Sequence, residues 1–586
     1  MRQWMVAAKK ADFYAIAEKF HVDPVVARII RNREVIGEKN IRIYLGGNLS
    51  DLSDPHQMKD MDRLVEILAQ KIRKQAHIRI IGDYDVDGVT SSHLFLTALR
   101  RVGAKVDVVI PHRIQDGYGL SLHLLQQAKE DGVDTILTCD NGIAAIDEIA
   151  WAKAQKMTVL VTDHHAVPFE EHEGRRTEKK SLADAVVNPH QQDCGYPYKE
   201  LCGAGVAWNV IRVLYENYDM DKREAEDLLD FVAMATVCDV MSLTGENRIL
   251  VKEGLKRIRH TKNIGLQALM QACNVQPENI SAYHFGYVLG PCVNATGRLD
   301  TARHALRLFE TGQETEAEEI ARDLVDLNQE RKELTLQGVE MAKKLCEEGG
   351  YENDPVLVLF LPDVHESIAG LIAGRIREMY NRPVFVLTRG EEGVKGSGRS
   401  TENYSMYENM CGCAELFTKF GGHPMAAGLS LPEENVEKFR RKINENCPLT
   451  VEEVCSDIHI DMAMPVGYAS TELVHQFALL EPFGKDNPSP LFADRNLSIS
   501  RMWLIGKNRN VLRMSVLSEY GQPVPVIFFG DVETLFAYFT EKFGQEEVEN
   551  ALHGRKNRIL FSMVYTAKID FYQGNENLQL EMKYYR

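Results

Sequence analysis

The sequence lacks the features that would place the chain outside the cell or in a membrane. It has no uninterrupted apolar run of about 18 residues, the length that a membrane-spanning helix needs. The opening MRQWMVAAKKADFY lacks the apolar core of a signal peptide. The 11 cysteines are scattered without a CxxC pair, so neither a disulfide framework nor a zinc ribbon is indicated. We therefore expect a cytoplasmic chain with reduced thiols and no membrane contact.

The sequence is also poor in segments typical of disordered or repetitive chains. It contains 42 glycines and 20 prolines among 586 residues, and no internal repeat is apparent. Apolar residues make up 44% and charged residues 26%, which is usual for globular proteins. At roughly 100 to 200 residues per domain, this length predicts three or more domains.

Positive charge is scarce. The chain has 68 lysines and arginines against 85 aspartates and glutamates, a formal net charge of -17. This balance argues against a protein that coats nucleic acid by charge alone. It does not exclude a nuclease, because carboxylates that hold divalent metal add negative charge while serving a polyanionic substrate.

Between residues 77 and 190, short β-prone runs alternate with helix-length stretches, a pattern typical of a parallel α/β sheet. The carboxyl ends of parallel strands line the ligand crevice. The polar residues that follow these runs should therefore meet in space, although they span over a hundred positions. The predicted strands are 77–81, 106–110, 135–138, 158–162 and 183–187.

The rest of the chain divides into segments that differ in their pattern of apolar and charged residues. Apolar residues at helical spacing among many charges predict one helix of about 50 Å that joins two domains. A second α/β block follows it, and short alternating runs after about residue 450 predict a small β domain. The predicted organisation is an N-terminal helical segment (1–50), an α/β domain (51–311), the connecting helix (312–348), a second α/β domain (349–447) and the β domain (448–586).

Three carboxylates follow the first predicted strand at alternate positions, Asp83, Asp85 and Asp87. Such close negative charges favour a hard divalent cation, and a solvated acidic turn is the alternative. An EF-hand is excluded because Leu94 stands at the twelfth position, where that loop needs glutamate.

Further candidate ligands follow later apolar runs: Asp140, the triplet Asp163-His164-His165, and Asp239. An ordinary turn aspartate and partly exposed histidines are the alternatives for the first two. Taken together, an oxygen-rich set without cysteine favours Mn²⁺ or Mg²⁺ over structural zinc. The set is large enough for two ions, an arrangement that suits hydrolysis at phosphorus.

Several motifs carry a resemblance to a known family. The DHH triplet and the aspartate-rich segment resemble the DHH phosphoesterase superfamily, and the second block resembles its DHHA1 domain. More closely, residues from about 50 to at least 490 resemble the RecJ family of single-strand-specific 5'-to-3' exonucleases. The other motifs that carry this likeness are Gly117–Leu120, Ala235–Arg248, Asn294–Asp300, Gly396–Ser400, Gly421–Gly428 and Leu480–Gly484.

The resemblance implies two parallel-sheet α/β domains joined by a long helix, with a C-terminal OB-like β domain. It implies a two-metal phosphodiesterase that releases 5'-mononucleotides from single-stranded DNA in repair and recombination, with Mn²⁺ or Mg²⁺ as cofactor. The catalytic residues would be Asp163 and His165. The metal ligands would be Asp83, Asp85, Asp87, Asp140, His164 and Asp239.

The resemblance also implies a basic pocket for the substrate's 5'-phosphate. Arginine binds phosphate through two hydrogen bonds, and glycine lets backbone N–H groups approach an anion. A salt-bridged helix surface and a plain turn are the alternatives for Arg375 and for residues 397–399. The substrate-binding candidates are Arg113, Arg298, Gln329, Arg375, Gly396, Ser397, Gly398, Arg399 and His423.

Two further expectations concern nucleic-acid contacts. In the family an arginine often follows the Gly-Pro pair, whereas this chain has Gly290-Pro291-Cys292, so that basic contact is lost or moved. OB folds grip single strands with basic and aromatic side chains, and core packing is the alternative for each such residue here. The candidates in the β domain are Arg501, Trp503, Lys507, Arg509, Arg513 and Tyr520.

Three other functions are compatible with the same set of candidate ligands. A smaller DHH phosphodiesterase acting on oligoribonucleotides or cyclic dinucleotides, or an inorganic pyrophosphatase, needs only the two α/β domains, and the extra length argues against both. A non-catalytic replication scaffold is disfavoured because all the candidate ligands are present. We expect single-stranded DNA as partner, with a single-strand-binding protein or a helicase as recruiting factors, and a monomeric chain.

Overall fold

The computed structural model describes residues 3–112, 119–172, 175–390, 393–506, 509–572 and 574–586. The chain forms two compact units. The first comprises residues 48–456, and the second joins residues 3–47 to residues 457–586. None of the helices in these described ranges is both long and apolar enough to cross a membrane.

The N-terminal segment belongs to the second unit, although it is far in sequence from the rest of that unit. Its helices bury apolar side chains such as Val26 and Ile30 in one core with Phe492 and Met514. The segment is helical, as expected, apart from one short strand. Its elements are β1 (Trp4–Val6), α1 (Phe13–Phe20), α2 (Pro24–Asn32) and α3 (Glu38–Gly46).

The first unit begins with the predicted parallel sheet. Its strands stand in the order β3-β2-β4-β5-β8, and every pair is parallel. The chain runs outward from β2 to β3 and returns to β4 on the other side of β2, which makes the ends of β2 and β4 a topological switch point. The elements are α4 (Met61–Arg73), β2 (Ile78–Ile81), α5 (Val86–Arg101), β3 (Val106–Val109), α6 (Leu122–Glu130), β4 (Thr135–Cys139), α7 (Ile146–Ala154), β5 (Thr158–Thr162), β6 (Phe169–His172), β7 (Arg175–Glu178) and β8 (Ala185–Val187).

A layer of helices completes this α/β domain. Trp208, Phe231 and Phe309 from three of these helices share one buried core with Ile80 of the sheet. One turn, Phe285–Leu289, is π-helical. The helices are α8 (Gly203–Asn217), α9 (Arg223–Glu226), α10 (Leu229–Cys238), α11 (Gly245–Ile258), α12 (Ile264–Ala272), α13 (Ala282–His284), α14 (Gly290–Leu299) and α15 (Ala302–Glu310).

The connecting helix is present as α16 (Glu314–Glu348), 35 residues long. At about 1.5 Å per residue it is roughly 52 Å long. Its first half buries Ile320 and Leu324 in the core of the first α/β domain. Its second half buries Val339 and Ala342 in the core of the next domain. One helix therefore supplies side chains to two cores and fixes the two domains within one unit.

The second α/β domain has a five-stranded sheet in the order β12-β13-β11-β10-β9. The predicted strands at its start form the parallel pair β9/β10, and the other pairs are antiparallel. The glycine-rich stretch at 393–399 is a strand in the middle of this sheet. The elements are β9 (Leu357–Phe360), α17 (Glu366–Tyr380), β10 (Val384–Gly390), β11 (Gly393–Arg399), α18 (Met406–Cys411), β12 (Lys419–His423), β13 (Ala426–Leu431) and α19 (Val436–Glu445).

The C-terminal part is the expected β domain. Its main sheet has the order β15-β16-β17-β18-β20-β19, and a further β16–β19 pairing joins its two sides in the manner of an OB-type barrel. The elements are β14 (Ile458–Ile460), β15 (Met462–Ala463), α20 (Thr471–Phe477), β16 (Phe492–Ile505), β17 (Val511–Leu517), β18 (Pro523–Phe528), α21 (Val532–Phe543), α22 (Gln545–Leu552), β19 (Leu560–Tyr572) and β20 (Asn575–Tyr585).

A buried ion pair joins the N-terminal segment to this β domain, and it generates the first prediction. Arg33 donates to both oxygens of Asp461, at 2.7 and 3.1 Å, and the side chains are only 9% and 6% exposed. Asp461→Ala leaves the guanidinium buried without its carboxylate. We expect the free energy of unfolding of the second unit to fall by about 3–5 kcal/mol, measured by urea denaturation with circular dichroism.

The matched control is Glu38→Ala, which removes the exposed Lys19–Glu38 ion pair of the same segment. That change should cost less than about 1 kcal/mol. Equal effects of the two substitutions would show that the buried pair does not hold the segment in place.

Candidate metal centre and substrate cavity

The loop after β2 turns sharply into α5 and places the first group of carboxylates. Asp85 caps α5, and its carboxylate accepts a hydrogen bond from the backbone N–H of Gly88 at 3.1 Å. Because the helix begins directly after Asp85, Asp83 lies at the end of the sheet and Asp87 lies in the first turn of the helix. Glycine is required at position 88, because a Cβ there would lie 2.4 Å from the carbonyl oxygen of Asp83.

Asp87 is held by the N-terminus of α8. Its two oxygens accept hydrogen bonds from the backbone N–H groups of Gly203 and Ala204, at 2.6 and 2.8 Å. The first N–H groups of a helix have no partner within it and carry partial positive charge, so a carboxylate is stabilised there. A Cβ at Gly203 would lie 2.6 Å from the Cβ of Asp140, so this glycine allows Asp87 and Asp140 to share the helix end.

Asp140 follows β4 in a left-handed backbone conformation, with φ of 62°. Aspartate tolerates this conformation better than most residues. The next residue fixes the loop: Asn141 Nδ2 donates to the carbonyl oxygens of Ile81 and Cys139, at 3.1 and 2.9 Å. The loop is thus tied to the ends of both strands at the switch point.

Asp163 positions its neighbours. It accepts hydrogen bonds from the backbone N–H groups of Ile143 and His164, at 2.9 and 2.7 Å, and from Nδ1 of His165 at 2.7 Å. Burial alone would raise the pKa of Asp163, but the hydrogen bond and charge of His165 outweigh it and lower the pKa. Its oxygens are therefore occupied by donors of the protein.

His164 stands at the middle of the cluster. Its Nε2 lies 3.0 Å from an oxygen of Asp140, 3.6 Å from Asp239 and 3.7 Å from Asp87. Asp239 reaches this point from the C-terminal end of α10, because the apolar run before it is a helix. These four side chains come from two strand ends, one helix start and one helix end.

Three sets of side chains could hold a cation among the described residues, each with its ligand atoms within 4.8 Å of one another. Two sets share Asp140, and two share His164. The Oδ1 of Asp83 and the Nε2 of His164 are buried and make no hydrogen bond within the described part of the chain. Buried polar atoms of this kind fit a divalent cation. The sets are Asp83–Asp85–Asp140, Asp87–His164–Asp239 and Asp140–His164–His165.

The electrostatics of the cluster favour a cation as well. Burial, followed by repulsion from neighbouring carboxylates, raises the pKa of Asp83, Asp85 and Asp140. Burial lowers the pKa of His164. Burial also opposes the charge of His165, but the hydrogen bond and charge of Asp163 prevail and raise the pKa of His165 to about 9. Without metal, burial and mutual repulsion therefore disfavour the charged form of these three carboxylates, and a bound divalent ion would offset both effects.

A cavity of about 440 Å³ lies beside this cluster in the same unit. Tyr84, from the aspartate-rich loop, contributes to its wall. The other walls come from the start of α17 and from the sheet of the second α/β domain. Its lining residues are Tyr84, Glu366, Ser367, Ala369, Thr388, Lys395, Gly396, Ser397, Lys419, Phe420, Gly421, Gly428, Leu429 and Ser430.

The strand register explains which candidates share one face of that sheet. Arg399 pairs with Ala426, which pairs with His423, and Ser397 pairs with Gly428. Because side chains alternate along a strand, Ser397, Arg399 and His423 lie on one face. Their central neighbours on that face are glycines, which leave room above the sheet. His423 stands at the exposed end of β12, outside the cavity lining.

The structure gives Gly396 and Gly398 a different role from the one predicted. Their strand lies between two antiparallel partners, so its N–H groups belong to the sheet ladder and do not face an anion. A Cβ at Gly396 would lie 2.4 Å from Leu387, and one at Gly398 would lie 2.6 Å from Met406. These glycines therefore admit core side chains on the face opposite Ser397.

The remaining substrate-binding candidates among the described residues lie in different parts of the first unit, and their side chains have different partners. Arg298 donates to the carbonyl oxygen of Ser367 at 2.6 Å, so it reaches from the first domain to the start of α17. Gln329 donates to Glu333 at 2.7 Å on the exposed face of the long helix. Arg375 is exposed and lies 3.9 Å from Glu378, the salt-bridged arrangement considered as its alternative. Arg113 and Lys507 lie outside the described residues.

Two cavity lysines were missed by the sequence reasoning. Lys395 and Lys419 both pair with Ser430, so they stand on either side of it on the cavity face. Lys395 lies 2.8 Å from Glu366 at the cavity rim. The signal was available in the alternation of Lys395, Ser397 and Arg399, but only if the glycine-rich stretch is read as a strand.

Comparisons with known protein families agree with this architecture. The model of the DHH family, N-terminal domain, matches residues 77–236, and that of the DHHA1 domain matches residues 353–447. The model of the RecJ OB domain matches residues 460–584. The fold and the carboxylate-histidine cluster thus define a protein of the DHH class that also carries DHHA1 and OB domains.

Individual relatives narrow this class. The chain is 32% identical to the single-stranded-DNA-specific exonuclease RecJ of Haemophilus influenzae over 96% of both chains. It is also 32% identical to RecJ of Bacillus subtilis, over 87% of this chain and 63% of that longer protein. The crystal structure of Thermus thermophilus RecJ with Mn²⁺ matches with a TM-score of 0.81 at 25% identity, over 100% of this chain and 79% of that one. The chain belongs to the RecJ family.

The raised carboxylate pKa values generate the second prediction. A carboxylate whose pKa is raised by folding makes the metal-free protein less stable as the pH rises above about 4. A bound divalent ion removes this penalty. We therefore expect the increase in Tm caused by Mn²⁺ to grow between pH 5 and pH 8, as measured by differential scanning fluorimetry with EDTA as the metal-free reference.

Asp140→Ala should reduce this Mn²⁺-dependent increase, because two of the three sets share Asp140. The control is Glu318→Ala, which removes an exposed carboxylate of α16. A Tm increase that is independent of pH, or one that Asp140→Ala leaves intact, would contradict metal binding at this cluster.

Proposed function

We propose that the chain is a metal-dependent exonuclease that hydrolyses phosphodiester bonds of single-stranded DNA from the 5' end and releases 5'-mononucleotides. One observation carries the proposal: the carboxylate-histidine cluster and a cavity that contains Lys395 and Lys419 lie side by side, and the Asp83–Asp85 loop contributes Tyr84 to that cavity. The relatives are single-stranded-DNA-specific exonucleases, which supports cleavage of single strands but gives no direction of digestion. The direction rests on the cavity as the holder of the 5' end.

The proposed cofactor is a pair of Mn²⁺ or Mg²⁺ ions. Asp83, Asp85 and Asp140 would hold one, and Asp87, His164 and Asp239 would hold the other. Bound divalent ions supply Lewis-acid activation of water and stabilise negative charge on the leaving oxygen. The oxygen-rich ligand set suits both metals, and structures of Thermus thermophilus RecJ contain Mn²⁺ and Mg²⁺.

The protein's own contribution at the scissile phosphate falls to His165. Asp163 accepts a hydrogen bond from His165 Nδ1 and so fixes the orientation of the ring. The same bond favours the cationic form, which places positive charge beside the cluster. A cation held there offsets the charge that develops on the phosphate oxygens during hydrolysis. Asp163 acts through His165 and is a positioning residue in this scheme.

The cavity would hold the 5'-terminal phosphate. Lys395 and Lys419 supply charge from opposite sides of Ser430, and Ser397 supplies a hydroxyl group. About 440 Å³ is within the range of small-ligand sites, roughly 300–1,000 Å³. A site of this size would hold one terminal nucleotide, which fits a single-stranded end and needs no base-specific contact.

The proposed setting is the cytoplasm and DNA repair and recombination. A net charge of -17 slows approach to a polyanion, so a partner that delivers the single strand would be useful. We infer a single-strand-binding protein or a helicase in that role, and a monomeric enzyme. Crosslinking to a single-strand-binding protein on gapped DNA, with size-exclusion chromatography for the free chain, tests both points.

The third prediction is a digestion time course that tests the proposed reaction. Single-stranded DNA labelled at either end is incubated with Mn²⁺ beside its duplex and a dinucleotide. We expect early release of the 5' label as mononucleotide and progressive shortening of the 3'-labelled strand. Cleavage of the dinucleotide alone would instead favour the smaller-substrate phosphodiesterase and leave the C-terminal barrel unexplained.

The fourth prediction separates the roles of the cluster and the cavity. Asp140→Ala should abolish turnover while leaving DNA binding largely intact, because it removes the ligand shared by two metal sets. Lys419→Ala should lower the preference for a 5'-phosphorylated end about tenfold over a 5'-hydroxyl end, since charged hydrogen bonds to phosphate are lost. Both are measured as kcat/KM.

The matched control for the cavity is Arg389→Ala, an exposed cation of the same sheet that pairs with Glu433 outside the cavity lining. It should leave end preference unchanged. Equal losses on phosphorylated and unphosphorylated ends in Lys419→Ala would contradict the cavity as the 5'-phosphate site.

A further inference from the structure

Two tyrosines form an exposed stacked pair on the first α/β domain. Tyr283 is 63% exposed and Tyr287 is 71% exposed. Their ring centroids are 5.1 Å apart, with 23° between the ring planes. Two adjacent exposed rings form one contiguous apolar surface, and exposed apolar surface that is contiguous is what marks interaction sites. The pair is the one exposed tyrosine–tyrosine stack among the described residues.

The local backbone explains how the pair is presented. Tyr283 lies in α13, and Tyr287 lies in the π-helical turn that follows it. The same turn buries Phe285 and Leu289 completely in the domain core. The turn is therefore anchored by one side and displays both tyrosines on the other. Single π-helical turns occur often at functional sites.

The π-helical turn contacts the C-terminal end of α10, which carries the candidate ligand Asp239. The thiol of Cys238, next to the candidate ligand Asp239, donates to the carbonyl oxygen of Phe285 at 3.3 Å. A Cβ at Gly290 would lie 2.3 Å from the same sulfur atom, so the turn and the end of α10 are in close contact. Val240, on the other side of Asp239, is 62% exposed with a left-handed φ of 54°. Such backbone strain in a β-branched residue is costly and clusters at functional sites.

A second contact with the candidate metal centre comes from α14, the helix that follows the turn. Asn294 of α14 accepts a hydrogen bond from the backbone N–H of Val86 at 3.1 Å, at the start of the helix that carries Asp87. The stretch from Tyr283 to Asn294 thus contacts Val86, which lies between Asp85 and Asp87, and Cys238, which precedes Asp239. A strand resting on the tyrosines would be held in register with the cluster.

We propose that Tyr283 and Tyr287 form a stacking platform for the bases of single-stranded DNA as the strand enters the metal centre. The inference rests on the proposed exonuclease function and adds to it a base-contacting surface outside the 5'-phosphate cavity. Aromatic rings stack on any base, so the platform is independent of sequence. It is uncharged, which suits an acidic chain, and a duplex hides the base faces that it would contact.

The test uses full-length protein with both tyrosines replaced, Tyr283→Leu with Tyr287→Leu. The probe is a 5'-phosphorylated single strand carrying 2-aminopurine, whose fluorescence changes when it stacks. In EDTA, we expect the Kd of the double variant to rise about tenfold and the fluorescence change on binding to disappear. In Mn²⁺, KM for the oligonucleotide should rise while turnover of a dinucleotide stays unchanged.

Two controls keep the proposal falsifiable. Tyr283→Phe with Tyr287→Phe retains both rings and should restore binding, which separates stacking from hydroxyl contacts. Tyr14→Leu removes a tyrosine that is 79% exposed in the other unit and should change nothing. Thermal unfolding confirms that each variant folds.

The outcomes distinguish the platform from the exonuclease itself. Digestion of single strands by the wild type, with binding lost only in the leucine variant, supports the platform. Digestion with binding and fluorescence unchanged in the leucine variant overturns the platform alone, as does equal loss in the phenylalanine variant. A wild type that digests no single strand overturns the proposed function, and the platform with it.

Discussion

Six aspartates converge at the carboxyl edge of a parallel sheet, and the rest of the first unit is arranged to make that possible. Carboxylates this close repel one another and lose hydration when buried. Three local features offset these costs. Backbone N–H groups at the N-terminus of α8 donate to Asp87, and other backbone N–H groups donate to Asp163. Glycine at position 203 leaves room for Asp140, which any side chain there would displace. What the protein leaves unsatisfied, at Asp83 and His164, is what a divalent cation satisfies.

The same unit sets the cluster beside a cavity that belongs to a different sheet. The long helix makes this possible because its two halves are buried in two cores, so the domains cannot drift apart without exposing both. Arg298 adds a polar contact across the same junction, through the carbonyl oxygen of Ser367. The candidate metal centre on one domain and the cavity lined by the other are thereby held in a fixed relation.

Much of this was predictable, for physical reasons. Short β-prone apolar runs that alternate with helix-length stretches placed the parallel strands within a residue or two, and the rule that strand ends converge brought Asp83, Asp140 and His164 together in advance. The pattern did not reveal that Asp239 ends a helix, because a short apolar run suits either element. The pattern also did not predict the strand at 393–399, because its glycines, which make room for core side chains, are not typical of a strand. Without that strand, the position of Lys395 on the cavity face could not be predicted. That residues 3–47 pack with the distant β domain is a long-range contact that no local pattern reports.

The central claim is that the aspartate cluster exists to hold two divalent ions. Anomalous diffraction at the manganese absorption edge, from crystals grown with Mn²⁺, tests it directly. The account predicts two peaks, one among Asp83, Asp85 and Asp140 and the other among Asp87, His164 and Asp239. The absence of both peaks from a fully ordered cluster, or strong peaks only elsewhere on the protein, would contradict it.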